Sequence, residues 1–266
     1  MKQRIDELLV EKKFFESRSR AQAAVMAGLV LANEKKIEKS GTKVDAGSNI
    51  RILGELHRFV SRGGVKLEHA LKQFNIKTEG RISIDVGAST GGFTDCMLQH
   101  GAKKVYAVDV GYGQIAWKLR QDDRVAVLER MNARNLKKED LYKEKDDPAD
   151  LAVIDVSFIS LGKIFPALLD LLADNAEVLA LVKPQFEAGR DQVEKGGIVK
   201  NTAVHKQVLE KVSGEAHGTG FKVCGFTKTP IKGADGNQEF FIYLKKGKKA
   251  EEINISEEIS NIAGGA

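Results

Sequence analysis

Apolar residues recur at Ile5, Leu8, Leu9 and Phe15 in RIDELLVEKKFF, close to the 3.6-residue repeat of a helix with one buried face. SRAQAAVMAG reads as a second helix, with Ser17 or Ser19 as cap and Gly28 at its end. LVLAN and KIEK follow as short strands around a turn and NIRIL as another, with GTKVDAGSN between them as loop. Residues 1–58 thus predict a small α+β unit. From Arg81 the pattern changes. RISIDVG, KKVYAVDVG, RVAVLE, LAVIDV and EVLALVKP are near-continuous apolar runs. Helical stretches separate several of them, among them STGGFTDCMLQHG, GQIAWKLRQ and SLGKIFPALLDLLA. Such alternation predicts a mostly parallel sheet covered on both faces. After the helical NTAVHKQVLEKVSGEAHG, FKVCGFTKTP and EFFIYLKK predict an antiparallel final pair around a turn at Asp235-Gly236. The expected organisation is a unit over 1–58, a linker over 59–66, an α/β domain over 67–246 and a charged, poorly ordered tail over 247–266.

Charge sharpens this division. Residues 1–66 hold 14 Lys and Arg against 8 Asp and Glu, whereas the other 200 hold 28 against 29. A basic excess confined to the small N-terminal unit points to a polyanion partner. No apolar run approaches the ~20 residues that span a bilayer, and the first residues, MKQRIDELLVEKK, are too charged for a signal peptide. The two cysteines, Cys96 and Cys224, are too few for a disulfide framework or a Cys-rich metal site. A cytoplasmic protein without metal or membrane partner is expected.

Open α/β sheets bind ligands at the carboxyl ends of their strands, so those ends direct the search. IDVGASTGGFTD follows a strand and opens a helix. It matches neither G-x-G-x-x-G nor a P-loop, because no G-K-[ST] is present. Asp85 stands where a phosphate would be repelled, and suits a ligand ammonium instead. Asp109 ends the next strand 24 residues later, placed to accept from ribose hydroxyls. An ammonium and a ribose without a phosphate describe S-adenosylmethionine. Gly87, Ala88, Ser89, Gly91, Gly92 and Phe93 form the turn that would hold it, and Asn132 would face its adenine. Asp155 ends the fourth strand and Lys183 the fifth, while Glu239 begins the last. If that strand is antiparallel, its start lies on the same sheet edge. The three then converge beside the methyl donor, with Lys183 flanked by both carboxylates. No Asn/Asp-Pro-Pro-aromatic turn follows Asp155, and neither cysteine lies at a strand end, which leaves a hydroxyl as the methyl acceptor. Lys183 would stabilise the developing alkoxide or take its proton.

With these residues in hand, the chain resembles the TlyA family, whose members are described both as haemolysins and as rRNA 2′-O-methyltransferases. RIDELL and SRAQAAVMAGLVLAN are similar to an S4 RNA-binding domain. DVGASTGGFTD, VDVGYGQ, VIDVSFISL, LVKPQFE, KGGIVK and GADGNQEFF resemble TlyA motifs in order and spacing. The catalytic part looks like the FtsJ/RrmJ group of ribose methyltransferases. The resemblance implies a Rossmann-like class I methyltransferase, a seven-stranded sheet with an antiparallel last strand, behind a small S4 domain. It implies S-adenosylmethionine as cofactor and a cytidine of ribosomal RNA, free or in the ribosomal subunit, as substrate. The short start favours the family form acting on large-subunit rRNA. The group's Lys-Asp-Lys-Glu tetrad would be Lys66, Asp155, Lys183 and Glu239. Lys66 enters only through this resemblance, in Ser61-Arg62-Gly63-Gly64-Val65-Lys66-Leu67. Gly63 and Gly64 would serve as an interdomain hinge, and EAGRDQVEKGGIVKN as a mobile loop over the substrate. Lys12, Lys13, Arg18, Arg20 and Arg62 would contact RNA, Arg18 and Arg20 matching the S4 Ser-Arg pattern. The rival readings are a haemolysin or cytolysin, and an RNA-binding protein with an inactive methyltransferase fold.

Overall fold

The computed structural model describes every residue except 1, 16, 27, 54–57, 145, 234–235, 248–252 and 265–266. Two compact units emerge, Met1–Arg58 and Phe59–Ala266.

The first unit begins with strand β1 (Lys2–Arg4), followed by helices α1 (Ile5–Glu11) and α2 (Arg18–Met26). Strands β2 (Val30–Ala32), β3 (Lys35–Lys36), β4 (Lys43–Asp45) and β5 (Ile50–Ile52) complete it. β2 lies between β3 and β5, antiparallel to both. β1 pairs with β4, inside the segment expected to be loop. The helical spacing of Ile5, Leu8 and Leu9 places them against Ala21, Ala24 and Val25 in one small core. At the edge of that core Asp6 is fully buried. Its carboxylate accepts from Arg4 Nε at 3.0 Å, Arg18 Nε at 3.0 Å and Gln22 Nε2 at 2.7 Å.

The second unit opens with α3 (Gly63–Gln73) and then alternates strand and helix: β6 (Ile82–Val86), α4 (Gly92–Gln99), β7 (Lys104–Val108), α5 (Trp117–Arg120) and β8 (Val125–Leu128). It continues with α6 (Lys138–Leu141), β9 (Ala149–Ile154), α7 (Phe165–Leu171), β10 (Leu172–Val182) and α8 (Pro184–Glu187). Last come α9 (Thr202–Thr219), β11 (Phe221–Lys228), β12 (Phe240–Lys246) and α10 (Ile255–Gly264). The seven strands run β11-β12-β10-β9-β6-β7-β8, with β12 antiparallel to both neighbours. Along β9 the side chains alternate faces. Leu151 and Val153 join the core under α3 and α4, while Ala152 and Ile154 join the core under α7 and α9. This two-sided burial is why the strands read as continuous apolar runs.

Several expectations are corrected. The segment 59–66 is not a polar linker. Phe59 is buried, and α3 already begins at Gly63. A Cβ at Gly64 would run into the Phe59 ring, so this glycine serves close packing rather than hinge freedom. The tail is not wholly frayed, because Ile259 and Ala263 of α10 are buried, Ile259 within the main core. The loop before α9 is anchored: buried Asn237 accepts from Val199 N at 2.9 Å and donates to Gly197 O at 2.8 Å. Asp235 of the expected turn lies outside the described residues. No helix among the described residues is long and apolar enough to cross a membrane.

Candidate active site

The carboxyl ends of β6, β9 and β10 surround a cavity of about 430 Å³. Asp85 lines it from β6. Its Oδ2 accepts from Thr94 N at 2.9 Å and Thr94 Oγ1 at 2.6 Å, both in the first turn of α4. Its Oδ1 is buried without a hydrogen-bond partner, and Asp85 lines the cavity. Burial pushes this carboxyl up to about 7; the Thr94 hydroxyl opposes that rise, and the Asp155 charge adds to it. Gly87, with φ +84°, makes the site possible: a Cβ there would collide with the carbonyl of Asp155. The two strand ends can therefore approach closely.

Lys66, Asp155, Lys183 and Glu239 line the same cavity. β12 pairs with β10 so that Phe240 opposes Val182, which sets Glu239 beside Lys183 at the same sheet edge. The side chains nevertheless sort into two pairs, instead of one lysine between two carboxylates. Lys66 Nζ lies 2.5 Å from Glu239 Oε2, and Lys183 Nζ lies 2.6 Å from Asp155 Oδ1. The second pair is close but outside hydrogen-bond alignment, and Lys183 Nζ donates to Ser157 Oγ at 3.0 Å. Lys66 and Glu239 are buried. Lys66 projects from the first turns of α3, which Phe59 and Gly64 pack into place.

Ala88, Ser89, Gly92 and Phe93 also line the cavity. Gly91 caps α4 with φ +91°. Asp109 adjoins the lining residue Ser89, and Asn132 is not a lining residue. Asp109 Oδ2 accepts from Ser89 N at 2.7 Å and Oδ1 from Gly111 N at 2.6 Å. Asn132 Oδ1 accepts from Arg134 N at 3.1 Å, capping its own short turn. The charged residues singled out for RNA divide as well. Arg62 is exposed at the start of α3 and lines the cavity. In the first unit Arg18 is drawn to Asp6 and to Glu7, Lys12 Nζ donates to Ser48 O at 3.3 Å, and Lys13 and Arg20 are exposed.

Sequence reasoning missed the aromatic rim. Phe158 is 90% exposed with φ +63°, a backbone conformation costly for a bulky residue. Its ring lies 4.8 Å from that of Phe186, and both line the cavity. A large apolar residue immediately after the strand-end Asp155-Val156-Ser157 was the available signal. Among the described residues no three His, Cys, Asp or Glu side chains gather as a metal site.

A family described as FtsJ-like methyltransferase matches residues 59–246, and the S4 domain family matches residues 3–50. The 16S/23S rRNA (cytidine-2′-O)-methyltransferase TlyA of Mycobacterium tuberculosis is 41% identical over 91% of this chain and 89% of its own. Hemolysin A of Brachyspira hyodysenteriae is 42% identical over 91% of this chain and 99% of its own. A solved chain from Streptococcus thermophilus, 48% identical, covers 99% of this chain and 94% of its own with a TM-score of 0.76.

Proposed function

The chain belongs to the FtsJ-like methyltransferase family, and we propose that it methylates the ribose 2′-hydroxyl of a cytidine in ribosomal RNA, with S-adenosylmethionine as donor. One observation carries this reading: two lysine–carboxylate pairs and a carboxylate with one buried, unpartnered oxygen line one cavity. Asp85 and the turn that follows it fit the donor. Asp85 Oδ1 is a buried acceptor that a ligand ammonium would satisfy, and Ala88 and Ser89 line the same cavity. When bound, the donor supplies a methyl group on a positively charged sulfur.

This chain's residues then prepare the acceptor. Displacement requires the hydroxyl in line and its developing negative charge stabilised. Lys183, held between Asp155 and Ser157, places a cation at that oxygen. Asp155 fixes the direction of the ammonium. Lys66, held by Glu239, supplies a second donor toward the ribose. The S4 domain brings the RNA through phosphate contacts, which position without reading sequence. We infer that the substrate is large-subunit rRNA, free or within the ribosomal subunit.

The test incubates the protein with labelled S-adenosylmethionine and with small subunits, large subunits or free rRNA, then digests and identifies the modified nucleoside. The expected product is 2′-O-methylcytidine from the large subunit. Label on a base, or none in any RNA, overturns the proposal; label from the small subunit as well overturns the narrower assignment.

A further inference from the structure

The cavity lining holds one acceptor that the chemistry above leaves unused. Gln185 is the second residue of α8, between Lys183 and Phe186, and lines the cavity. Its Oε1 is buried and has no hydrogen-bond partner. Buried carbonyl oxygens in folded proteins are nearly always paired, so an orphan on a residue that lines a cavity points to a ligand donor.

The neighbours narrow what that donor is. Asp155 and Glu239 already face lysines, and Ser157 Oγ accepts from Lys183. Asp85 is already assigned to the donor's ammonium. Lysines only donate, so Lys66 and Lys183 serve acceptor atoms of a substrate and none of its donors. The Phe158–Phe186 pair adjoining Gln185 offers a surface on which an unstacked nucleobase can rest. Such a base brings a polar edge with it. Cytosine presents an exocyclic amine, whereas uracil presents a carbonyl oxygen at the same position. A carbonyl acceptor matches the first and repels the second.

Building on the proposed reading of the site, we propose that Gln185 Oε1 accepts a hydrogen bond from the 4-amino group of the target base, selecting cytidine over uridine. Gln185 is thereby a specificity residue.

The experiment uses the full chain and an rRNA carrying either cytidine or uridine at the modified position, with kcat/KM measured for both. The wild type is expected to favour cytidine by roughly tenfold or more, the weight of one buried hydrogen bond. Gln185→Leu should bring the ratio close to one, and Gln185→Glu, which keeps an acceptor, should preserve the preference. Cofactor affinity, measured by calorimetry on the same variants, reports that each is folded. A cytidine preference undiminished in Gln185→Leu, while the wild type is active, overturns this inference alone. A wild type that methylates neither RNA overturns the reading of the site as well.

Discussion

Asp6 in the first unit and Asp85 in the second are both fully buried, and their surroundings are opposite. Asp6 accepts from two arginines, a glutamine and the Glu7 amide. The Arg4 guanidinium, foremost, holds its carboxyl well below the usual carboxylate range. Asp85 is bonded by Thr94, leaves one oxygen unpaired, and is pushed up to about 7 by burial. A buried charge with its lone pairs answered holds a fold together. One left half answered is destabilised until something binds. The same contrast separates Arg18–Asp6, locked among neighbours, from Lys183–Asp155, which borders a cavity.

The largest expected effect tests the second half of that contrast. Lys183→Ala should lower turnover by roughly 1,000-fold or more, the weight of a transition-state cation or oxyanion donor. Its melting temperature and cofactor affinity should stay near those of the wild type. Lys183→Arg sharpens the assignment, because arginine keeps the charge but does not take a proton. Partial activity in the Lys183→Arg variant supports stabilisation of the alkoxide; complete loss in both variants supports a base.

Asp85→Asn comes next. It should weaken S-adenosylmethionine binding by roughly 100-fold, as the loss of a charge-assisted bond implies, while raising the melting temperature at pH 8. The opposite signs distinguish it from any purely structural aspartate. The pH dependence follows from the same carboxyl. Asp85 titrates higher in the folded state than in the unfolded chain, so its stabilising contribution is complete below about pH 4 and lost as pH rises through about 7. The span is on the order of 4 kcal/mol. Cofactor binding runs the other way, with Kd rising about tenfold per unit below pH 7 as the carboxylate is protonated. For Asp6 the folded value is depressed, so its contribution is present above about pH 4 and lost only in stronger acid. Denaturation of the wild type and of Asp85→Asn between pH 5 and 8 checks the first statement, since the variant should lose the slope.

Much of the cavity was legible in strand ends. Asp155, Lys183 and Glu239 sit where an open sheet exposes side chains, and the alternation of apolar runs with helical stretches located those ends. Lys66 was not legible in that way. Its burial depends on Gly64 admitting the Phe59 ring and on a partner 173 residues away. Asp109 and Asn132 hold the expected positions as well, and there they accept from local amides. The packing of α10 was not legible, because Ile255, Ile259 and Ile262 form their helical stripe inside a charged segment.

Asp6→Ala should cost about 2 kcal/mol of the first unit's stability through its lost charged hydrogen bonds, read by urea denaturation, with the methyltransferase unit unaffected.

The smallest expected effect concerns Arg18. An S4-type pattern nominates it as a phosphate contact, yet its Nε lies 3.0 Å from Asp6 and its Nη1 3.1 Å from Glu7. A guanidinium so directed has little left for RNA. Because Arg4 and Gln22 still satisfy Asp6, and Arg18 is half exposed, Arg18→Ala should cost less than about 1 kcal/mol. Its effect on RNA binding separates the two readings by salt dependence. Removing a true phosphate contact lowers the slope of log K against log salt by roughly 0.7 to 0.9. Lys13→Ala, at an exposed left-handed residue of the same unit, should show that reduction, while Arg18→Ala should leave the slope unchanged. A reduction of the same size in both variants would place Arg18 on the RNA and reduce Asp6 to the residue that aims it.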